Sequence, residues 1–523
     1  MFNLLKRLVS KKNSTKEKGE LLGSDIQRNL DRIKEIFINA NDIVIRAFRV
    51  GSYRKIKASI VFIDGLVDTG ALNEHIIKPL VSDIRLTQPN LWLTNKQIFR
   101  LAKEQVLSVG NLQEVESLED VVSRILSGNI VLFLDGIPTA FTSSLQGWEA
   151  RGIEEPETEA VVRGPREGFT ETLRTNTAQL RRKIKSPNLK FEIIKVGRET
   201  QTDVCVTYIK GIANDKVVEE VRRRIKSIDT DSILESGYIE QFIEDGPFSI
   251  FPTVGNSEKP DVVGGKLLEG RVGIITDGTP FVLTVPFLFI EAFQVSEDYY
   301  SRPYYSTLVR WFRFIAFFFS IFSPSIYVAL TTFHQEMIPT PLLVTMAASK
   351  EGTPFPALVE AIVMGVIFEI LREAGVRLPR PVGQAVSIVG AMVIGEAAVS
   401  AGLIGAPMVI VIAITAISSF VVPVISDAGA VMRLFLVIMS GFLGQFGLML
   451  GVTGILTHMV SLRSFGAPYL SPVAPTTISD LKDLFIRAPW WAMTTRPRVI
   501  GWKDPIRQGF RLMPEPPDDD END

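Results

Sequence analysis

Hydrophobic and polar positions divide the chain into two regimes. From Met1 to about Tyr305, short apolar runs alternate with charged stretches; from Leu308 to Val460, long apolar runs carry few charges. In the first regime, Ala58 to Ile63 is an apolar, partly β-branched run ended by Asp64-Gly65, and Asn129 to Leu134 is another ended by Asp135-Gly136. Such runs predict buried parallel strands. Polar helical stretches, Asn95 to Leu107 and Glu119 to Leu126, lie between them, and the alternation predicts α/β crossover units. A boundary is expected near the loop-like Arg151 to Pro156, followed by strands at Lys190 to Val196, Val204 to Ile209 and Val272 to Ile275. Asn214 should cap a helix reaching about Ile225, with Val217, Val218, Val221 and Ile225 on one face.

The second regime contains runs close to the ~20 residues a helix needs to cross hydrocarbon. The first is Leu308 to Thr331, opened by Arg302, Arg310 and Arg313, which mark a cytoplasmic end. Pro339 to Ser349 is short and proline-broken and is expected at the far interface. A second span, Phe355 to Leu371, emerges beside Arg372, Arg377 and Arg380. Val386 to Ser400, Met408 to Val424 and Leu434 to Val460 follow. Counting every stretch leaves the tail outside, yet Lys482, Arg487, Arg496, Arg498, Lys503, Arg507 and Arg511 favour the cytoplasm. An even number of crossings is then required, so Val386 to Ser400, short and bearing Glu396, is read as re-entrant. Phe281 to Ile290 is too short to cross and is read as a buried strand or interfacial piece.

Composition adds exclusions. The 523 residues are 46% hydrophobic, and 56 Lys+Arg against 58 Asp+Glu leave a net charge of -2. That balance averages two solvents and describes neither. A disordered chain and a purely soluble one are excluded. The single Cys205 excludes a disulfide framework and any multi-cysteine metal site. Lys6 and Arg7 interrupt the first apolar run, so no signal peptide is expected and the polar region should be cytoplasmic.

Catalytic motifs are missing. Gly264-Gly265-Lys266 lacks the upstream glycine of a phosphate loop, because Pro260 stands there, and Leu267 replaces its hydroxyl residue. The three histidines, His75, His334 and His458, are far apart, so no His-based metal site is expected. With no recognisable nucleophile or phosphate motif, no enzyme activity is expected, and no cofactor or nucleic-acid partner either. Asp64, Asp68 and Asp135 sit at strand ends, where ligands often bind in α/β sheets, though such residues also cap turns.

Acids inside the second span are the main functional clue. A charge at bilayer depth costs a few kcal/mol and should face protein or water. At about 100° per residue, Glu360, Val363, Met364, Ile367 and Leu371 share one stripe, the expected pore lining. Ala357, Ala361 and Gly365 form a neighbouring small stripe suited to helix packing. Repeated by symmetry, Glu360 would form a cation-favouring acidic ring, with a hydrogen-bonded structural role as the competing reading. Glu369, Glu396 and Gln445 are secondary polar candidates, and Glu369 can pair with Arg372 at i+3. Gly441, Gly444, Gly447, Gly451 and Gly454 are expected to form one packing face of a single helix.

The expected divisions are a basic arm (1–23), two α/β subdomains (24–150 and 151–305), a multi-pass transmembrane helical domain (306–462) and a cytoplasmic, interface-associated tail with an acidic terminus (463–523).

Several passages resemble the A subunits of GerA-type spore germination receptors: Arg151 to Pro156, Arg163 to Phe169, Leu173 to Thr177, Ser249 to Thr253, Phe368 to Pro379, Gly383 to Gly390 and Ser464 to Pro472. Their order and spacing cover roughly Ile60 to Arg496. The resemblance implies an inner-spore-membrane protein that works with a transporter-like B subunit and a lipoprotein C subunit. It also implies a homo-oligomer, expected to be a pentamer, that forms a nutrient-gated cation channel. A secondary transporter is the alternative, but the internal repeat with paired broken helices that it needs is not visible from Leu308 to Val460. A membrane-anchored enzyme is disfavoured by the missing motifs.

Overall fold

The computed structural model describes residues 20–50, 56–83, 112–145, 147, 156, 159, 161–377, 395–501, 503–509 and 512–514. The chain forms two compact units, one comprising 1–244, 254–286 and 490–523, the other 245–253 and 287–489. It therefore passes between them four times, so the expected division at residue 306 is replaced by an interleaved one. The tail expected at 463–523 is split at Trp490 between the units.

The first unit contains the same arrangement twice. Helix α1 (Ile26–Ile36), strands β1 (Ile43–Val50), β2 (Ile56–Ile63) and β3 (Gln113–Val115), helix α2 (Leu118–Leu126) and strands β4 (Asn129–Leu134) and β5 (Ala140–Ser144) form the first copy. The second consists of α3 (Leu173–Lys183), β6 (Leu189–Val196), β7 (Thr202–Ile209), α4 (Asp215–Lys226), α5 (Ser236–Ile243), β8 (Gly255–Ser257), α6 (Pro260–Glu269), β9 (Val272–Thr276) and β10 (Val282–Val285). The strand orders are β1-β2-β4-β5-β3 and β6-β7-β9-β10-β8, the same sequence of positions. The likeness extends to single hydrogen bonds. Asp135 Oδ1 accepts from the Ile26 amide that opens α1 (3.4 Å), and Asp277 Oδ1 accepts from the Leu173 amide that opens α3 (2.9 Å).

Every strand pair in both sheets is antiparallel, which corrects the expected parallel crossover sheet. Continuous apolar runs report burial on both faces and carry no information about direction. In β2, Val61 and Ile63 enter one core, while Ile60 and Phe62 enter another on the opposite face. The helix at Asn95 to Leu107, and most of the Arg151 to Pro156 loop, lie outside the described residues. The other expected strands and the Asn214-capped helix are present, and Phe281 to Ile290 contains the buried β10. Gly264-Gly265-Lys266 lies within α6. Cys205 is fully buried, and burial pushes its thiol well above the ordinary range. A buried ion pair joins the two halves of this unit. Arg181 donates to both oxygens of Asp42 at 2.9 and 3.0 Å.

The second unit is helical: α7 (Pro303–Thr332), α8 (Thr340–Lys350), α9 (Ala357–Arg377), α10 (Ala406–Ser419) and α11 (Ser426–Ser461). Two stretches among the described residues, Pro303–Thr332 and Pro423–Ser461, are long and apolar enough to cross a membrane. The second is not one rod. Gly444 takes φ +61° and ψ −142°, and the chain doubles back there. A Cβ on Gly447 would meet the Met439 carbonyl oxygen, and one on Gly451 would lie 2.7 Å from Leu436 Cδ2. Along a straight helix these partners would be roughly 12 and 22 Å apart. Residues 426–443 and 445–461 are thus antiparallel limbs of about 26 Å each.

Gly444 abuts Phe333, just beyond the end of α7, which places the reversal at one end of the unit, termed the distal end. The start of α7 lies at the opposite, proximal end, where Arg310 meets Asp483. The second limb returns there, because Ser464 donates to the Thr253 carbonyl and accepts from the Phe287 amide. Arg372 also reaches the proximal start of α11 through Ser426 (2.8 Å), whereas Gly402 lies against the Gly352 carbonyl at the distal end.

Candidate functional site

The long apolar helices enclose a small number of charges. Glu360 lies one turn into α9, is fully buried, and has its Oε2 3.7 Å from Lys350 Nζ at the end of α8. Lys350 also sits over the Tyr327 ring of α7, 5.4 Å from its centroid. Neither carboxylate oxygen of Glu360 accepts a hydrogen bond among the described residues, nor does Tyr327 Oη make one. A buried charge with one ionic partner and no hydrogen bonds is costly to keep. Helix α8 has no buried residue, so Lys350 is its principal polar anchor to the rest of the unit.

Two turns farther along α9, Glu369 accepts from Arg433 of the first α11 limb and pairs with Arg372 at 3.3 Å. Arg433 is buried, donates to the Ser320 carbonyl of α7 at 3.0 Å, and lies over the Phe368 ring. Arg372 continues the chain of contacts to Asp427 at 3.1 Å. The expected Glu369–Arg372 pair is therefore present, within a larger network. Arg433 lies outside the stripe that periodicity marks on α9, although an arginine between two apolar stretches is itself a usable sequence signal.

The expected stripe divides between two sides of α9. Glu360 and Met364 are buried with Ala357 and Ala361, Ile367 and Leu371 are half-buried, and Val363 is 40% exposed. The acid and the small stripe thus share the packed side. The open side carries Val363, Val366 and Ile370. An angle of roughly 100° between two stripes separates faces on an isolated helix. It does not do so when two neighbouring helices embrace a wide arc. Gly365 contacts nothing through its Cβ position, so it makes no close helix approach among the described residues. Glu396 is exposed and Gln445 half-buried. Most of Val386 to Ser400 lies outside the described residues, and its final part, 395–400, is helical.

The glycine face is also redistributed. Gly441 lies in the first limb, where a Cβ would meet Leu358 at 2.5 Å. Gly444 makes the turn, Gly447 and Gly451 let the second limb close on the first, and Gly454 contacts nothing through its Cβ position. A single left-handed residue, which glycine tolerates best, is what periodicity along a straight helix cannot reveal.

The proximal end is held by a cluster of arginines. Arg310, fully buried, donates to Asp298 Oδ2 at 3.2 Å and to the Asp483 carbonyl at 2.6 Å. Arg313 donates to Asp298 at 2.9 Å, and Arg487 donates to the Asp298 and Tyr299 carbonyls. Of the three arginines expected to mark the cytoplasmic end, only Arg302 is exposed; Arg310 and Arg313 are neutralised by acids nearby. Beside this cluster, Phe251 packs on Tyr469 with ring centroids 6.2 Å apart, and Ser249 Oγ lies 2.9 Å from His458 Nε2. The passages Ser249 to Thr253 and Ser464 to Pro472, remote in sequence, thus form one joint.

Residues 31–499 match the family described as the Bacillus/Clostridium GerA spore germination protein. The chain is 47% identical over 503 residues to spore germination protein KA of Bacillus subtilis (strain 168), covering 96% of this chain and 91% of that one. It is 38% identical over 489 residues to spore germination protein B1 of the same strain (93% and 99% covered). It is 35% identical over 478 residues to spore germination protein GerLA of Bacillus cereus (91% and 95% covered). Among solved structures it is similar to the N-terminal domain of the A subunit of the Bacillus megaterium spore germinant receptor GerK3. That match has 42% identity and a TM-score of 0.42, covering 52% of this chain and 99% of that one.

Proposed function

This chain belongs to the GerA family of spore germination proteins, and from that membership we propose that it is the A subunit of a nutrient germinant receptor. In this reading it crosses the inner spore membrane several times with its α/β unit in the cytoplasm. It assembles as a homo-oligomer, a pentamer by family resemblance, beside a transporter-like B subunit and a lipoprotein C subunit. The assembly is a cation channel opened by nutrient.

One observation carries the channel reading. Helix α9 packs Glu360 inward and leaves an apolar face, Val363, Val366 and Ile370, exposed among the described residues. A helix of this kind, repeated around an axis, suits a pore wall. Val363 would then line the passage, with Ile367 and Leu371 at its edges and Glu360 and Met364 just behind it. The buried Glu360 carboxylate would contribute to cation preference through its field, since charges act at longer range where water is excluded.

The two limbs of α11 support an even number of traverses, because the segment after Ser461 returns to the proximal end where α7 starts.

Cation release from spores carrying Val363→Ala or Glu360→Gln, at matched protein level, tests the reading. Altered nutrient-triggered or basal release is expected. Unchanged release in both would remove α9 from the pore.

A further inference from the structure

The chain leaves the α/β unit after Glu244 and re-enters it at Val254, and residues 245–253 belong to the helical unit. Gly246-Pro247-Phe248-Ser249 forms a tight turn within this excursion. The Ser249 amide donates to the Gly246 carbonyl at 2.9 Å. Proline at the second position presets the backbone that such a turn needs. Phe248 occupies the third position.

The turn is fastened to the proximal end of the second α11 limb. Asp245 accepts from the Phe465 amide, and Ser249 Oγ lies 2.9 Å from His458 Nε2. A Cβ on Gly246 would lie 3.3 Å from Leu462 Cδ2. The Ser249 hydroxyl also accepts from the Phe251 amide at 3.1 Å, and Phe251 is buried in the helical core. Held this firmly, Phe248 is nonetheless wholly exposed, more so than any other large apolar side chain among the described residues. Ile250 beside it is 39% exposed.

The surroundings say what covers the ring. His458 lies on the uncovered side of its limb, where Leu456 and Val460 are also exposed. The turn extends that apolar side past the end of the limb, and exposed Arg463 follows it. Where the limb crosses a membrane, this side faces hydrocarbon and its proximal end meets the lipid headgroups. An aromatic ring beside a cation at that level is the pattern of an interfacial anchor. A second copy of the chain is the poorer occupant. One buried phenylalanine accounts for at most about 250 Å², against roughly 800 Å² per partner in a stable interface. A bilayer imposes no such minimum.

We propose that the turn at 246–249 is a membrane anchor, with the Phe248 ring inserted among acyl chains just below the lipid phosphates at the proximal face. The proposal rests on reading the second α11 limb as a membrane crossing. Insertion fixes the depth of residues 245–253, and with it the joint of Phe251, His458 and Tyr469, against the bilayer surface.

Nitroxide labels on the full chain in phosphatidylcholine nanodiscs test this. Phe248→Cys, Leu456→Cys and Lys216→Cys are labelled one at a time, and Cys205, fully buried, stays unlabelled. All three positions are exposed, so the substitutions leave the packed core intact. Lys216, on the surface of the α/β unit, supplies the value for water. Power saturation compares collisions with oxygen, which concentrates in lipid, and with a water-soluble nickel chelate. The oxygen-to-nickel ratio at 248 is expected to be severalfold above that at 216. A ratio at 248 equal to that at 216 overturns the proposal. So does an immobile label shielded from both reagents, which would mean that another protein surface covers the ring. Leu456 separates the two possible failures. A lipid ratio there with a water ratio at 248 removes the anchor alone, whereas water ratios at both remove the crossing as well.

Discussion

Lys350 Nζ stands 3.7 Å from Glu360 Oε2, joining the end of an otherwise exposed helix to a carboxylate with no surface exposure. Both charges are held where water does little to screen them, so their removal should be strongly asymmetric. Lys350→Met alone leaves Glu360 buried without its ionic partner and should cost about 3 kcal/mol. Lys350→Met combined with Glu360→Met should recover most of that loss. Thermal unfolding of the purified variants checks the pair, and a double variant as unstable as Lys350→Met would show that the two residues do not couple.

Gly444→Ala should be severe. It forces a methyl group to within 2.9 Å of Phe333 Cβ at a residue whose φ is +61°. The backbone cost alone is about 1–3 kcal/mol. Gly454→Ala, with nothing within 4 Å of the added carbon, should change stability by no more than about 0.5 kcal/mol. Equal midpoints for the two variants would contradict the reversal at Gly444.

Asp277→Ala and Asp135→Ala should behave alike, because each removes the carboxylate that accepts from the first amide of a helix in one copy of the repeated α/β arrangement. Each should cost about 1 kcal/mol. The longer bond at Asp135 predicts the smaller loss, and a larger loss there, by chemical denaturation, would argue against equivalent roles.

The α/β unit should weaken as pH rises through the weakly acidic range. Burial, reinforced by Glu244 and Glu235, pushes Glu240 up to about 7 from an ordinary carboxyl value of 4.5. The folded state therefore holds this proton more tightly than the unfolded chain does. Its contribution is present in full below pH 4.5 and is lost as pH rises through 7. Glu240→Gln should flatten the stability profile over that window, and an unchanged slope would mean that another group controls it.

Much of this protein follows from local pattern. Apolar runs ended by Asp-Gly placed β2, β4 and β9. The Asn214 cap placed α4, and long apolar stretches placed α7, α9 and α10. These features depend on neighbours within a few residues, where burial and capping act. The acids at Glu360 and Glu369 were visible for the same reason, since a charge in an apolar run stands out without a fold.

Tertiary structure decided the rest. Strand direction, the repeated strand order, the reversal at Gly444, the split of the α9 stripe and the meeting of Glu369 with Arg433 all depend on contacts between distant segments. An apolar residue states that it will be buried, but not against which partner. A glycine permits a left-handed turn without requiring one. The choice among such partners is made only when the whole chain packs, because that is where each buried charge and each close approach must be satisfied together.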